Sequence, residues 1–570
     1  MMQRFRAQCF AGLFIFLAAL GLVLPLLLSN RPVVGIDALF HFNRFYDVAE
    51  QLKHGQFSYF MAEYGYQQSG RIVTPLYGPW LSYLMGALLV LLPNWFWFEV
   101  VTDVVVLVIA GFGIYRLVRY LDATRYASLL SAIVYMALPL TTEWQNSQAF
   151  SAIGAALLPY VIYYGIAFMK QPTTFSWIGL AVSLAVITQS HLFTSLLATL
   201  VLAIFFVISI MKQPWSVIRQ LLVRLVCAIG LYAVLSANVI VGMLDVMGTN
   251  QILTPFTPAD IGQKGMHVAF DRLPSLRNYS VLALWVVVIF IGSTLVYQKL
   301  QREYRVMLVL AALFFVLSLA EFPWHAVQQL MPNIVNTMQF PSRLAVVSNL
   351  ALVVLLARLL SMVVITSRIR RSTKIVIAIV VVLVPVAISS SMLAKNAHRL
   401  HTTQLVKNTK HVQFNPNKTP MQIASDWRFG SLATGLQDIQ KATPDYVVNH
   451  GIRASDNAYD RYMQEIINNP IHVKVKQASD RMTLTWRATT THKATLPVII
   501  YKHSQVTLNG RRLTQPTQSR IGALRVVPQL GQNEIQVSYR PAGYVWPLIW
   551  LSIGGWLSIV VVIVGRSFKR

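Results

Sequence analysis

The chain has 570 residues, of which 55% are hydrophobic and only 12% charged, and its formal net charge is +27. A soluble chain would carry roughly a quarter charged residues, so this composition excludes a water-soluble enzyme and points to a polytopic α-helical membrane protein. Two cysteines, Cys9 and Cys227, both in apolar runs, exclude a disulfide framework and read as buried packing residues.

In chain order, Arg4 and Arg6 precede an apolar run that ends near Leu28, about the length of one membrane crossing. The run lacks a small-residue cleavage site, so it reads as a retained signal anchor with a cytoplasmic N-terminus. It delivers the stretch Gly35-Ile36-Asp37-Ala38-Leu39-Phe40-His41-Phe42-Asn43-Arg44 to the outside. Four-residue spacing puts Asp37 and His41 on one side of a helix, with Arg44 three residues further along. Leu39, Phe42, Phe45, Val48, Ala49 and Leu52 recur at helical spacing, so 38–52 reads as an amphipathic helix lying on the membrane. Asp47, Glu50 and Lys53 read as its solvated face. Asp37 falls at the N-cap, where Asp is a preferred residue, so capping and catalysis both remain open for it.

The next apolar stretch, Leu76 to Leu92, carries Gly78, Pro79, Gly86 and Pro93 and is flanked by Trp80, Trp95 and Trp97. If it crossed the bilayer, Arg116, Arg119 and Arg125 would fall outside, against the preference of basic loops for the cytoplasm. It reads instead as surface-lying. Twelve spans are then expected, near 8–28, 98–116, 126–140, 148–169, 174–190, 192–211, 223–245, 280–297, 305–321, 344–366, 374–392 and 546–566. This places every basic connection, and the tail Arg566 to Arg570, in the cytoplasm.

The outside then holds 29–97, 141–147, 190–191, 246–279, 322–343 and the block 393–545. Candidate groups at the outer ends are Glu143, His191, Asp245 and Arg343, with Asp103 about one turn into its span. Carboxylates at a membrane edge are costly and default to functional readings. His191 also suits a hydrogen-bonded turn residue. Arg343, which follows Pro341 and Ser342, suits a phosphate through forked hydrogen bonds, or headgroup snorkelling.

Within 393–545, the part to about 470 reads as mixed and partly helical. Short alternating runs follow at His472–Lys476, Met482–Trp486, Leu496–Tyr501, Val506–Leu508 and Glu534–Tyr539, separated by turn signals such as Asn509-Gly510. They predict a small β-sandwich. The block has 20 Lys and Arg against 8 Asp and Glu, a surface attracted to anionic envelope polymers or lipids. Nucleic acid is not reachable from that side.

No phosphate-binding glycine loop, zinc motif or Ser/His/Asp signature is present, which leaves nucleotide-driven chemistry unsupported. A carboxylate near a phosphate-binding Arg on the outer face suits sugar transfer from a polyprenyl phosphate, the carboxylate acting as base on the acceptor hydroxyl.

At this point the chain resembles the GT-C glycosyltransferases, which place an essential Asp in the first outer loop ahead of interfacial helices; Asp37, 38–52 and 76–92 match that pattern. More narrowly it resembles YfhO-like bacterial membrane proteins, including those labelled 6-pyruvoyl-tetrahydropterin synthase-related. The matching pieces are Asp37-x-x-x-His41-x-x-Arg44, Leu52-x-x-Gly55, Thr74-Pro75-Leu76-Tyr77, Ser190-His191, Gln339-Phe340-Pro341-Ser342-Arg343, and the late stretches 497–510, 531–533 and 537–541. The resemblance implies a lipid-phosphosugar-dependent hexosyltransferase of the bacterial cell membrane that glycosylates an envelope glycan, teichoic acid or lipid. Related enzymes often carry an acidic pair in the second outer loop. Here only Glu143 stands there, so a divalent cation is an open part of the expectation.

The resulting assignment is a GT-C-like membrane domain over 1–392, an extracytoplasmic mixed and β-sandwich domain over 393–545, and a final helix with a basic cytoplasmic tail over 546–570. Asp37 and Glu143 are the expected catalytic residues. His41, Arg44, His191, Asp245 and Arg343 are the expected substrate-binding residues, with membrane lipids, a polyprenyl-phosphate sugar and an anionic polymer as partners. Two other readings are a lipid-linked glycan transporter, which would need polar groups near the bilayer midplane, and a non-catalytic envelope scaffold.

Overall fold

The computed structural model describes residues 2–253, 258–268, 281–401, 404–406, 408–452 and 457–568. Much of the expected loop 246–279 and the end of the basic tail therefore lie outside the described residues. Contacts divide the chain into two units: 1–33, 99–229 and 257–399 form the first, and 34–98, 230–256 and 400–570 the second. The first loop and the last helix thus share a unit with the C-terminal block.

Among the described residues, eight helices are long and apolar enough to cross a membrane: Gln8–Ser29, Trp95–Tyr120, Phe150–Lys170, Leu192–Ile210, Trp215–Met247, Pro341–Ile365, Arg371–Ala397 and Val545–Gly565. Each matches one of the twelve expected spans. The other four are helical but shorter: Arg125–Ala137, Trp177–Thr188, Val281–Leu295 and Arg302–Ser318, of 13, 12, 15 and 17 residues. At 1.5 Å per residue the longest of these covers only about 25 Å.

In the first unit the helix Ala345–Ile365 is the buried centre, with the residues from Ala345 to Ala357 inside. Ser348 Oγ donates to the Ala311 carbonyl at 3.0 Å, which satisfies a hydroxyl that apolar packing would otherwise strand. Peripheral helices invert this pattern. Ile375, Val376, Ile379, Val380 and Leu383 point outward from Arg371–Ala397, a surface suited to hydrocarbon and not to water. Cys9 and Cys227 also lie on such outward faces as free, exposed thiols. The expectation of burial fails because an apolar run in this chain marks a helix flank as readily as a core.

The second unit is built around antiparallel sheets. In chain order the strands are β1 (Val412–Phe414), β2 (Ile439–Lys441), β3 (Lys474–Ala478), β4 (Arg481–Ala488), β5 (Ala494–Ile499), β6 (Ser504–Leu508), β7 (Arg511–Leu513), β8 (Thr517–Gln518), β9 (Ala523–Val526) and β10 (Gly531–Tyr539). They form a pair β1-β2, a five-stranded sheet β3-β4-β10-β6-β7 and a three-stranded sheet β5-β9-β8. Alternation sets the register. Ile535 and Val537 of β10 face Leu484 and Met482 of β4, and all four are buried. Asn509 and Gly510, at φ 49° and 80°, make the tight turn between β6 and β7 that their sequence predicts. The two larger sheets share one core, which also takes in Tyr59, Phe60, Met61 and Ile72 of the first loop.

That loop supplies the helix Ala38–His54, closed by Gly55 at φ 64°. It is buried on more than one side, and the expected solvated face forms only in part: Lys53 is exposed and pairs with Glu50 at 2.9 Å, while Asp47 turns inward. Asp47 is 2% exposed. Its Oδ1 accepts from the backbone N–H groups of Glu63, Tyr64 and Gly65 at 2.8, 2.7 and 3.0 Å, and Gln51 donates to Oδ2 at 2.7 Å. A Cβ on Gly65 would come within 2.3 Å of the Asn43 carbonyl oxygen, so only glycine lets the loop approach this closely. On the other flank Gly86 does the same for the helix Pro79–Leu91, whose added Cβ would lie 2.5 Å from Val48.

Burial pushes the Asp47 carboxyl up to about 6, against these bonds. Asp47→Ala strands three N–H groups, each costing about 1–3 kcal/mol. The apparent thermal midpoint of the detergent-solubilised variant is expected to fall sharply, with Asp47→Asn in between.

Candidate active site

The site is best followed from the turn that precedes the helix Ala38–His54. Asp37 occupies the N-cap position with φ −99° and ψ −1°, yet its side chain makes no capping hydrogen bond. A capping residue normally takes extended angles and accepts from the second or third helical N–H. The capping explanation for an Asp at this position therefore does not hold here.

Two segments of the same unit reach this turn, and an aromatic group lies in that unit as well. Lys441, the last residue of β2, donates from Nζ to the Ile36 carbonyl at 2.7 Å. Burial pulls the lysine pKa down, while the charges of Asp37 and then Asp445 push it up. Burial raises the Asp445 carboxyl, and Arg71 and Lys441 pull it back. Tyr459 lies in the field of Asp445 and Asp37 and is pushed up to about 12, chiefly by burial. Phe40, Tyr77 and Tyr446, all partly exposed, form an aromatic group with ring centroids 6.1 to 6.2 Å apart.

Arg71 holds this arrangement from behind. It is fully buried; Nη1 donates to the Thr443 carbonyl at 2.5 Å and to Thr443 Oγ1 at 3.0 Å, and Nη2 donates to the Asp445 carbonyl. Its guanidinium lies 4.3 Å from the Tyr66 ring centroid, so aromatic faces replace part of its lost hydration.

Arg44 and His41 sit deeper than expected. Both are buried, Arg44 Nη1 lies 3.4 Å from His41 Nδ1, and Arg44 Nη2 donates to the Tyr77 carbonyl and Ser82 Oγ. The pair ties the helix to the chain beneath Tyr77. Asp245 also works within its unit: it accepts from Tyr539 Oη at 2.6 Å and the Ala542 N–H at 3.0 Å, and lies 3.2 Å from His503 Nδ1.

Glu143, His191 and Arg343 belong to the first unit. Glu143 opens the short helix Glu143–Ser147 and accepts from Ser151 Oγ at 2.8 Å. His191 caps Leu192–Ile210, accepting from the Thr194 N–H, with Nδ1 2.7 Å from Thr194 Oγ1. Burial first and the Arg343 charge second pull its pKa down to about 3, so the ring is neutral. Arg343 donates to Gln339 Oε1 at 2.9 Å and lies over Phe340. The structure therefore pairs His191 with Arg343 in one unit and Asp37 with Lys441, Asp445 and Tyr459 in the other. The last three were missed because they stand some 400 residues from Asp37 in the chain. Among the described residues no three His, Cys, Asp or Glu side chains are placed to hold a metal ion, which does not fit a carboxylate cage for a divalent cation.

No family model and no curated protein matches the sequence. Among solved structures the fold is similar to the arabinofuranosyltransferase AftD from mycobacteria, with TM-score 0.41 and 16% identity over 67% of this chain and 27% of that one. It is also similar to the oligosaccharyltransferase of Archaeoglobus fulgidus, with TM-score 0.40 and 13% identity over 67% of this chain and 55% of that one. The chain thus spans about a quarter and about half of the lengths of these two proteins, both named for sugar transfer.

One more acid in this unit is electrostatically unusual. Glu63 is fully buried, and its carboxyl is pushed up to about 9 by burial and by the charges of Asp47 and Asp480. A carboxyl that the folded state holds protonated adds its full stability below the unfolded pKa, near 4.5, and loses it as pH rises toward 9. Thermal melts of Glu63→Gln and wild type are expected to coincide near pH 5 and to separate by several degrees at pH 9, the variant melting higher.

Proposed function

We propose that this chain is an integral membrane glycosyltransferase of the GT-C type that moves a sugar from a polyprenyl-phosphate donor to an envelope glycan, teichoic acid or lipid on the outer face of a bacterial membrane, in the manner of YfhO-like proteins. The observation that carries this reading is the Asp37 carboxylate. It stands at a helix start without capping it, in the field of Lys441 and Tyr459, and in the same unit as the partly exposed rings of Phe40, Tyr77 and Tyr446. Aromatic faces suit the C–H faces of a sugar ring, and carboxylates suit its hydroxyls.

In this mechanism Asp37 takes the proton of an acceptor hydroxyl as its oxygen bonds to the anomeric carbon of the donor sugar. The bond from that carbon to the phosphate oxygen breaks, and its electron pair leaves with the polyprenyl phosphate. A leaving phosphate gains negative charge, which a cation stabilises. Arg343, with its planar donor fork beside a neutral His191, suits an anionic lipid headgroup. Within the first unit, Glu143 accepts from Ser151 Oγ, the kind of bond by which a carboxylate holds a sugar hydroxyl. Asp245, His41 and Arg44 act by holding structure.

A transporter would need polar groups at the midplane of several spans. The buried acids Glu99 and Asp103 lie instead in the opening turns of Trp95–Tyr120. In purified protein reconstituted with polyprenyl-phosphate sugar and acceptor, Asp37→Asn is expected to abolish release of polyprenyl phosphate, a loss of at least about 100-fold. The variant should accumulate and melt like wild type. Transfer at the wild-type rate would remove Asp37 as the base.

A further inference from the structure

The segment 441–446 comes from the C-terminal block, and its backbone is anchored without help from the Lys441 side chain. Lys441 pairs with Val412 in the β1-β2 ladder, the Ala442 N–H donates to the His411 carbonyl at 3.0 Å, and Arg71 holds the carbonyls of Thr443 and Asp445. From this fixed base the lysine side chain reaches the Ile36 carbonyl, one residue before Asp37. Extending and partly burying a lysine costs side-chain entropy and hydration. A single bond to a carbonyl repays little of that cost, whereas a carboxylate held in the ionised state would give the arrangement a purpose.

We propose that Lys441 is a positioning residue for Asp37: it fixes the turn 35–37 and keeps the Asp37 carboxylate ionised and ready to accept a proton. This rests on the transferase reading above. Asp37 acts on Lys441 and on Tyr459 of the helix Ala458–Tyr462, and Asp445 acts on the same two groups; His41 and Arg44 lie further along the helix that follows Asp37. Lys441 lies in the field of both Asp37 and Asp445, so its removal takes away the cation that the two carboxylates share. An adjacent cation favours the charged form of a carboxyl, and its loss moves the titration upward.

The test uses the full chain in vesicles that contain polyprenyl-phosphate sugar, comparing wild type, Lys441→Met and Lys441→Arg. In Lys441→Met, kcat at neutral pH is expected to fall about 10-fold or more with donor KM within about twofold. The acidic limb of its pH profile should move up by about one unit, and Lys441→Arg should restore both. A Lys441→Met profile that overlays wild type would overturn the proposal. So would an equal loss in both variants with the limb unmoved, because that marks a merely structural role.

Labelling of Asp37 by a water-soluble carbodiimide, followed by mass spectrometry against pH, reads the same titration without turnover. It is expected to shift upward in Lys441→Met, and an unshifted midpoint contradicts the proposal. If wild-type protein transfers no sugar, the transferase reading fails, and the labelling still decides the role of Lys441.

Discussion

The second unit depends on one buried cation. Arg71 has no access to water, and a charge so placed is tolerable only if most of its donors are occupied and its faces are covered. Its two Nη groups are occupied and its face is covered by parts of the chain that lie far apart in sequence, while Nε has no hydrogen-bond partner among the described residues. Tyr66 covers a face, and the carbonyls of Thr443 and Asp445 take its N–H groups. Satisfying Arg71 therefore draws the segment 441–446 onto the first loop, and with it come Lys441, Asp445 and Tyr446. The polar surroundings of Asp37 follow from what a guanidinium requires.

A second device works alongside it. Asp47 gathers three successive N–H groups of the loop that contains Glu63, Tyr64 and Gly65. The loop then closes onto the helix Ala38–His54, and its return strand reaches the sheets, where the Ile72 N–H donates to Tyr501 Oη at 3.0 Å and the Ile499 N–H to the Ser69 carbonyl at 2.8 Å. The helix bearing Asp37 is thus held by charged groups on both sides. This explains why it resembles a core helix more than one floating on a membrane surface.

What could be read from the sequence was whatever depends on local periodicity. The eight long helices are continuous apolar runs, and β4, β6 and β10 alternate clearly enough to be placed within a few residues. The short strands β7, β8 and β9 have three, two and four residues, too few for a period to show. The four shorter helices lie where spans are expected, with ends displaced by a few residues because hydropathy does not record where a helix stops. Asp37 stood out by its position after the first apolar run. Its neighbours did not, because Lys441 and Asp445 reach it only through Arg71, and nothing local in either segment announces that contact. Asp47 was misread for a related reason: its charge predicts solvent, while its hydrogen bonds come from a loop that folds back upon it.

The most direct measurement is mass spectrometry of envelope glycans from cells with the protein and cells in which its gene is deleted. The account predicts that one glycan, teichoic acid or glycolipid loses the mass of a single sugar substituent in the deleted cells, and regains it with the wild-type chain but not with Asp37→Asn. Envelope glycans identical in all of these cells would contradict it.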